Sequence, residues 1–291
     1  MSTRIQHILD KAEREGAVRR VRTEVGVGTL PADAEPAPVA PPPAAYGAPA
    51  YQAHGTTSSA AATVAAPVAP SLSPSRVVAG AHLDPHLVTS ASPNDAVAEQ
   101  YRGLRTRILH ADTMAPVNVV LITSPGRNEG RTLTVGNLGL AMAQESQRRI
   151  CIVDADLRHP QLQRAFGLPD GPGLCDVLTG RATLEEALVT LEEHNLTVLP
   201  AGHVPTHPAE LLGTTAMRRT LETLRTQFDR IVIDAAPATP LADVSILAPL
   251  VDRVLLVVRA GVTTRPAIQD AVSSIDASKL LGFVLNEAGQ A

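Results

Sequence analysis

The segment RICIVDADLRHP, residues 149–160, carries a run of apolar residues onto two carboxylates, Asp154 and Asp156, with Arg158 beside them. Acids paired at the end of a buried strand suit the holding of a divalent metal against phosphate oxygens. A second apolar run with the same ending, RIVIDAAP at 230–237, supplies Asp234 as a third carboxylate. The loop TSPGRNEGRT, residues 123–132, lies between the apolar run VNVVLIT and a helical pattern. In that setting backbone N–H groups and a helix N-terminus cradle phosphates. The pattern GxxxxGK[ST] is met at Gly130 and Thr132, whose hydroxyl would reach Mg²⁺, whereas Pro125 replaces the first glycine and Arg131 the lysine. Alone, the loop reads equally well as an ordinary strand-to-helix turn, and each Asp as a cap or turn residue. Together, a loop at one strand and acids at the ends of two later strands converge on one edge of a parallel sheet, outlining a nucleotide site.

The elements that must position these groups follow from periodicity. Near-continuous Val/Ile/Leu runs predict strands at 117–123, 149–154, 196–200, 230–234, 253–259 and 281–286. Amphipathic patterns predict helices at 132–147, across TLEEALVTLEEH (183–194) and across TTAMRRTLETLRTQF (214–228). A further helix is expected from Ser92 to about His110, with Ser92 as N-cap, Pro93 at the first helical position and Asp95 in capping-box register. The fold class expected is α/β, a doubly wound, mainly parallel sheet covered on both faces. Residues 1–24 read as a short amphipathic helix, with Ile5, Ile8 and Leu9 on one face, able to dock on a partner or on the protein's own core. Residues 25–92, rich in Ala, Pro, Ser and Thr, read as a disordered linker, and 93–291 as the folded domain.

Composition excludes several classes. A net charge of −4 over 291 residues indicates no nucleic-acid partner. Cys151 and Cys175 lack the framework of a small secreted protein and read as buried, reduced thiols. No window reaches the roughly 18 apolar residues of a membrane helix, so the expected location is the cytoplasm, with membrane association only through a partner. His203 and His207 are four apart but span Pro205 without further ligands at zinc-site spacing. HPAELL after them reads as structural.

Residues 95–287 resemble the bacterial tyrosine kinases of capsule and exopolysaccharide systems, within the MinD/ParA-like P-loop ATPases. The resemblance is carried by EQYRGLRTRI, TSPGRNEGRT, IVDADLRHPQLQRAFGL, GLCDVLTGRATLEEAL, LPAGHVPTHPAELLG, IVIDAAPATPLADV and VLLVVRAGVTTR. It implies ATP and Mg²⁺ as cofactors, with the loop as Walker A, DADLR as Walker A′ and IVIDAAP as Walker B. Nucleotide contacts would then come from Gly126, Asn128, Glu129, Gly130, Arg131, Thr132, Leu133 and Asn286, the last near adenine. Thr132, Asp156 and Asp234 would surround the metal, Asp154 would face the tyrosine hydroxyl, and Asp154, Asp156 and Arg131 would form the catalytic set. Glu99, Arg102 and Arg105, spaced ExxRxxR, would join subunits into a ring-like homo-oligomer. On its own that strip reads as a solvated helix face. The other partners implied are a membrane-bound polysaccharide co-polymerase that activates the kinase, and protein tyrosine substrates.

The chain departs from the family pattern in three respects. Arg131 is longer and planar where the family has a compact ammonium, which implies displaced β/γ-phosphate contacts. Asn128 replaces a glycine but tolerates a left-handed backbone. The sequence ends NEAGQA without the family's tyrosine cluster, leaving Tyr46 and Tyr51 as candidate phosphoacceptors and Tyr101 on the helix. Alternative readings are a pseudokinase scaffold that binds nucleotide without efficient transfer, and a MinD/ParA-like ATPase switch.

Overall fold

The computed structural model describes residues 73–111, 117–145 and 148–288. The expected helix at 1–24, most of the expected linker, and Tyr46 and Tyr51 lie outside these residues. Eight strands form one sheet: β1 (Arg76–Val78), β2 (Val119–Thr123), β3 (Ile150–Ala155), β4 (Val189–Leu191), β5 (Leu196–Leu199), β6 (Arg230–Ala235), β7 (Arg253–Arg259) and β8 (Leu280–Asn286). Their order is β1-β4-β5-β3-β6-β2-β7-β8, and every neighbouring pair is parallel except β4 with β5. The longer helices are α1 (Ala96–Ala111), α2 (Arg131–Ala143), α3 (Thr215–Gln227) and α4 (Arg265–Ser273). The expected doubly wound sheet is thereby present.

Strands β2, β3 and β6 are buried along their whole length because both faces are covered. Val119, Leu121, Cys151, Val153, Ile231 and Ile233 face one core, shared with α3 and α4. Val120, Ile122, Ile150, Ile152 and Val232 face the other, under α1 and α2. Each fully buried side chain of this kind contributes about 1.5–3 kcal/mol relative to exposure, which favours continuous apolar runs in central strands. Helix α2 is buried from Thr134 onward and lies directly on the sheet. Gly139 permits that approach, since a Cβ there would overlap Ile152 Cδ1. Gly139→Val is expected to destabilise the fold by about 1–3 kcal/mol through overpacking, read as a lower urea midpoint with an unchanged slope.

Three boundaries differ from expectation. Residues 73–92, assigned to the linker, are part of the folded domain: β1 pairs with β4 at the sheet edge, and Leu87 and Thr89 are fully buried. The Arg76 guanidinium anchors this stretch by donating to the carbonyls of Pro169 and Pro172. The low apolar content averaged over a long tract concealed a three-residue strand. Within TLEEALVTLEEH the α-helix is only Leu184–Ala187, and the β-branched Val189 and Thr190 continue as β4, where strand pairing on both sides overrides helical periodicity before a short 3-10 turn at Glu192–His194. Helix α1 begins at Ala96 instead of Ser92, because Asp95 Oδ1 accepts the Val97 N–H at 2.7 Å and thus supplies the cap.

Asp252, immediately before β7, stitches strand ends together. Its carboxylate accepts the N–H groups of Asn118 and Val119 at 2.8 and 2.7 Å and a two-pronged contact from Arg225 at 2.9 and 3.0 Å. Burial opposes ionisation, but Arg225 and the two amides outweigh it and hold the carboxyl below its usual range. A depressed native pKa means that the stabilisation is complete above the unfolded value, about 3.9, and disappears as pH falls through the native value. Asp252→Asn is therefore expected to cost about 1–3 kcal/mol at neutral pH and to flatten the loss of stability below about pH 4, measured by denaturant titration across pH. Among the described residues no helix is long and apolar enough to cross a membrane.

Candidate functional site

The loop after β2 turns sharply into α2. Asn128 adopts φ 59°, as its tolerance of the left-handed region allows, and Gly130 adopts φ 83°. A Cβ on Gly130 would overlap the Asn286 amide, whose Nδ2 donates to the Glu129 carbonyl at 2.9 Å. The end of β8 is thereby clamped onto the phosphate-type loop. On the far side, the buried Glu129 carboxylate accepts the Arg259 N–H at 2.7 Å and the Thr263 hydroxyl, tying the loop to the end of β7.

Strands β3 and β6 are neighbours in a register that pairs Asp154 with Asp234. Arg131, at the first turn of α2, crosses to these strand ends. Its Nε donates to Asp234 Oδ1 at 2.6 Å and its Nη2 to Asp156 Oδ2 at 2.5 Å. The Thr132 hydroxyl donates to the other Asp234 oxygen at 2.7 Å. Side-chain exposure is 10% for Arg131, 4% for Asp156 and 1% for Asp234, so the guanidinium roofs the carboxylates. Burial disfavours the Arg131 charge, yet Asp234 and Asp156 more than compensate and raise its pKa above the ordinary value. Burial also pushes Asp234 upward, against the pull of Arg131 and Thr132.

A cavity of about 500 Å³ opens above this cluster. Its wall includes Asn128, Glu129, Gly130, Arg131, Thr132, Leu133, Asp156 and Asn286. Gly126, expected as a contact, is not on the wall, and its carbonyl accepts the Ser124 hydroxyl. Residues without a sequence assignment complete the wall: Arg127 bonded to His159 at 2.7 Å, Gln161, Pro237, and Arg259 paired with Glu287 at 2.6 Å. Arg259 ends β7 and Glu287 directly follows β8, positions at the carboxyl ends of strands that the strand assignments alone could have flagged.

Asp154 departs from the role expected of it. It is fully buried and off the cavity wall, with its oxygens accepting the N–H groups of Asp156, Gln161 and Leu162 at 3.0–3.2 Å. Burial and the adjacent Asp234 hold its pKa well above the usual carboxylate value. In this conformation Asp154 shapes the loop that presents Asp156 and does not open towards a substrate hydroxyl. Arg158 fixes the same loop from outside through a two-pronged contact with the buried Asp243, both distances 2.9 Å.

The remaining expected residues lie away from the cavity. Arg102 contacts Glu99 at 2.8 Å and the Pro93 carbonyl at 2.6 Å, and Arg105 donates to the Ala141 carbonyl near the end of α2 at 2.7 Å. The strip expected to join subunits thus also fastens α1 within its own chain. His203 is engaged by Asp176 at 2.9 Å, and His207 precedes the helix Pro208–Leu212. Cys151 and Cys175 are both buried in the core.

The donor set suits Mg²⁺: a hydroxyl and two carboxylates are the hard oxygen ligands it takes, and they surround a cationic guanidinium, which shows that the position favours positive charge.

Residues 126–279 match the family described as an AAA domain. The chain is 32% identical over 209 residues to tyrosine-protein kinase YwqD of Bacillus subtilis (strain 168), covering 71% of this chain and 88% of that one. It is 31% identical over 196 residues to tyrosine-protein kinase ptk of Acinetobacter johnsonii, covering 67% of this chain but only 27% of that longer protein. Among solved structures it is similar to the kinase domain of the Escherichia coli tyrosine kinase ETK, with a TM-score of 0.67 and 26% identity, over 70% of this chain and 81% of that one. Sequence and fold agree, and the chain belongs to the bacterial tyrosine kinase family.

Proposed function

We propose that this chain is an ATP- and Mg²⁺-dependent protein-tyrosine kinase, phosphorylating tyrosines on its own or a neighbouring copy, in the control of capsule or exopolysaccharide synthesis or export. The single observation that carries this reading is the convergence of Arg131, Thr132, Asp156 and Asp234 beneath one cavity at the carboxyl end of a parallel sheet. Kinship with YwqD and with the ETK kinase domain supplies the reaction class. Partners on this reading are further copies of the chain and a membrane-bound polysaccharide co-polymerase that activates it at the cytoplasmic face.

When bound, Mg²⁺ neutralises phosphate charge during phosphoryl transfer. Thr132, Asp156 and Asp234 would hold it. The loop from Arg127 to Gly130 and the start of α2 bind and orient the phosphates through backbone N–H groups. Asn286 and Glu129 fix that loop against β7 and β8, so that its shape exists before nucleotide arrives. Asp154, through the amides of Asp156, Gln161 and Leu162, sets the position of Asp156.

One observation favours the scaffold alternative: Arg131 is engaged by both metal-site carboxylates and is planar where a rotating ammonium is usual. Incubation of the full chain with ATP and Mg²⁺, followed by mass-spectrometric mapping of tyrosines, separates the readings. Phosphate on Tyr46, Tyr51 or Tyr101 supports the kinase. Adenylate binding with no modified tyrosine, on the chain or on added tyrosine peptides, supports the scaffold. Release of phosphate alone supports an ATPase switch.

A further inference from the structure

Resting on the nucleotide-site reading, we propose that Arg131 is a gate on the metal position, so that the divalent cation enters only together with a triphosphate. The guanidinium lies between the two carboxylates and occupies the charge position a cation would take, with Asp234 sealed beneath it and off the cavity wall. Thr132 joins the same cluster by donating its hydroxyl to Asp234. Among the described residues, no three acidic, His or Cys side chains stand ready around an open metal position. A free cation must therefore displace a buried ion pair on both of its sides, with nothing offered to the guanidinium in return. A triphosphate changes that balance. Its oxygens present the planar fork with another anion to grip in the cavity that Arg131 already lines, and the carboxylates become available to the cation carried by the same ligand. Residue 131 thereby sets the order of binding as well as phosphate contact.

The test uses Mn²⁺, read by the loss of its free-ion electron paramagnetic resonance signal, with and without a non-hydrolysable ATP analogue. The wild-type chain is expected to take up one Mn²⁺ with the analogue and none without it. A site shut by its own arginine at least nine-tenths of the time binds metal at least about tenfold more weakly than an open one. Arg131→Met is accordingly expected to gain at least about tenfold in affinity for Mn²⁺ alone. Arg131→Lys, which replaces the two separate nitrogens that grip the acids with one nitrogen on a shorter, flexible stem, gains in the same direction and decides the matter if the methionine variant fails to fold by circular dichroism. Equal uptake by wild type in the two arms, or equal nucleotide-free affinity in wild type and Arg131→Lys, overturns the gate while leaving the nucleotide site intact. Uptake in neither arm overturns the nucleotide-site reading itself.

Discussion

Asp234→Asn is expected to lower ATP-dependent tyrosine phosphorylation by roughly 10³-fold, because about 4 kcal/mol of metal-borne charge stabilisation depends on an anionic ligand at this position. The same change removes one of the two carboxylates that neutralise Arg131 in a site almost closed to solvent. Breaking a buried pair on one side costs about 3–5 kcal/mol, and since Asp156 stays in place the lower end applies. A second variant provides the control: Arg131→Met combined with Asp234→Asn also strips buried Asp156 of its guanidinium partner, and should cost more stability than Asp234→Asn alone while leaving activity lost. Radiolabelled phosphotyrosine formation and urea unfolding read the two quantities independently. Full activity in Asp234→Asn would remove this residue from the metal site.

Arg131→Lys has the second large effect and the opposite sign. The guanidinium is fixed by two short contacts, so phosphates entering the loop meet a cation held towards the sheet. Misplacement of about 1 Å in such a site costs about a hundredfold in rate, and an ammonium on a flexible stem can follow the phosphates. Turnover in the lysine variant is therefore expected to rise by about 10–100-fold over wild type. The price is stability, about 1–3 kcal/mol for the lost charge-assisted hydrogen bond, seen as a lower unfolding midpoint. A decrease in turnover with unchanged nucleotide affinity would mean that the surrounding loop has adapted to arginine.

Much of this site could be read from the sequence because strand ends announce themselves. The apolar runs ending in Asp154 and Asp234 become β3 and β6, adjacent and in register, so acids far apart in the chain meet. Asn128, which stands where relatives usually carry glycine and is expected to tolerate a left-handed backbone, adopts one. Three features escaped for physical reasons. The burial of Asp154 depends on amides at Gln161 and Leu162, and no residue pattern specifies where a loop will fold back to donate. The pairing of Arg131 with two acids requires the sheet order, which places β3, β6 and β2 side by side. Strand β4 was hidden because LEEALVTLEEH has helical periodicity, and only its neighbours β1 and β5 make the extended form of Val189 and Thr190 favourable.

The contact between Arg105 and the Ala141 carbonyl has a mechanical consequence. Helix α2 runs from the phosphate-type loop at Arg131 to Ala143, a stiff rod of about 20 Å at 1.5 Å per residue. One end holds the cation that meets a ligand, and the other is gripped by a side chain from the arginine-bearing helix. Any neighbouring molecule that recruits Arg105 must first loosen that grip, and the strain travels along a lever already wedged against the sheet at Gly139. Recruitment of Arg105 by a neighbour and ligand occupancy at Arg131 would therefore be two pulls on one shaft.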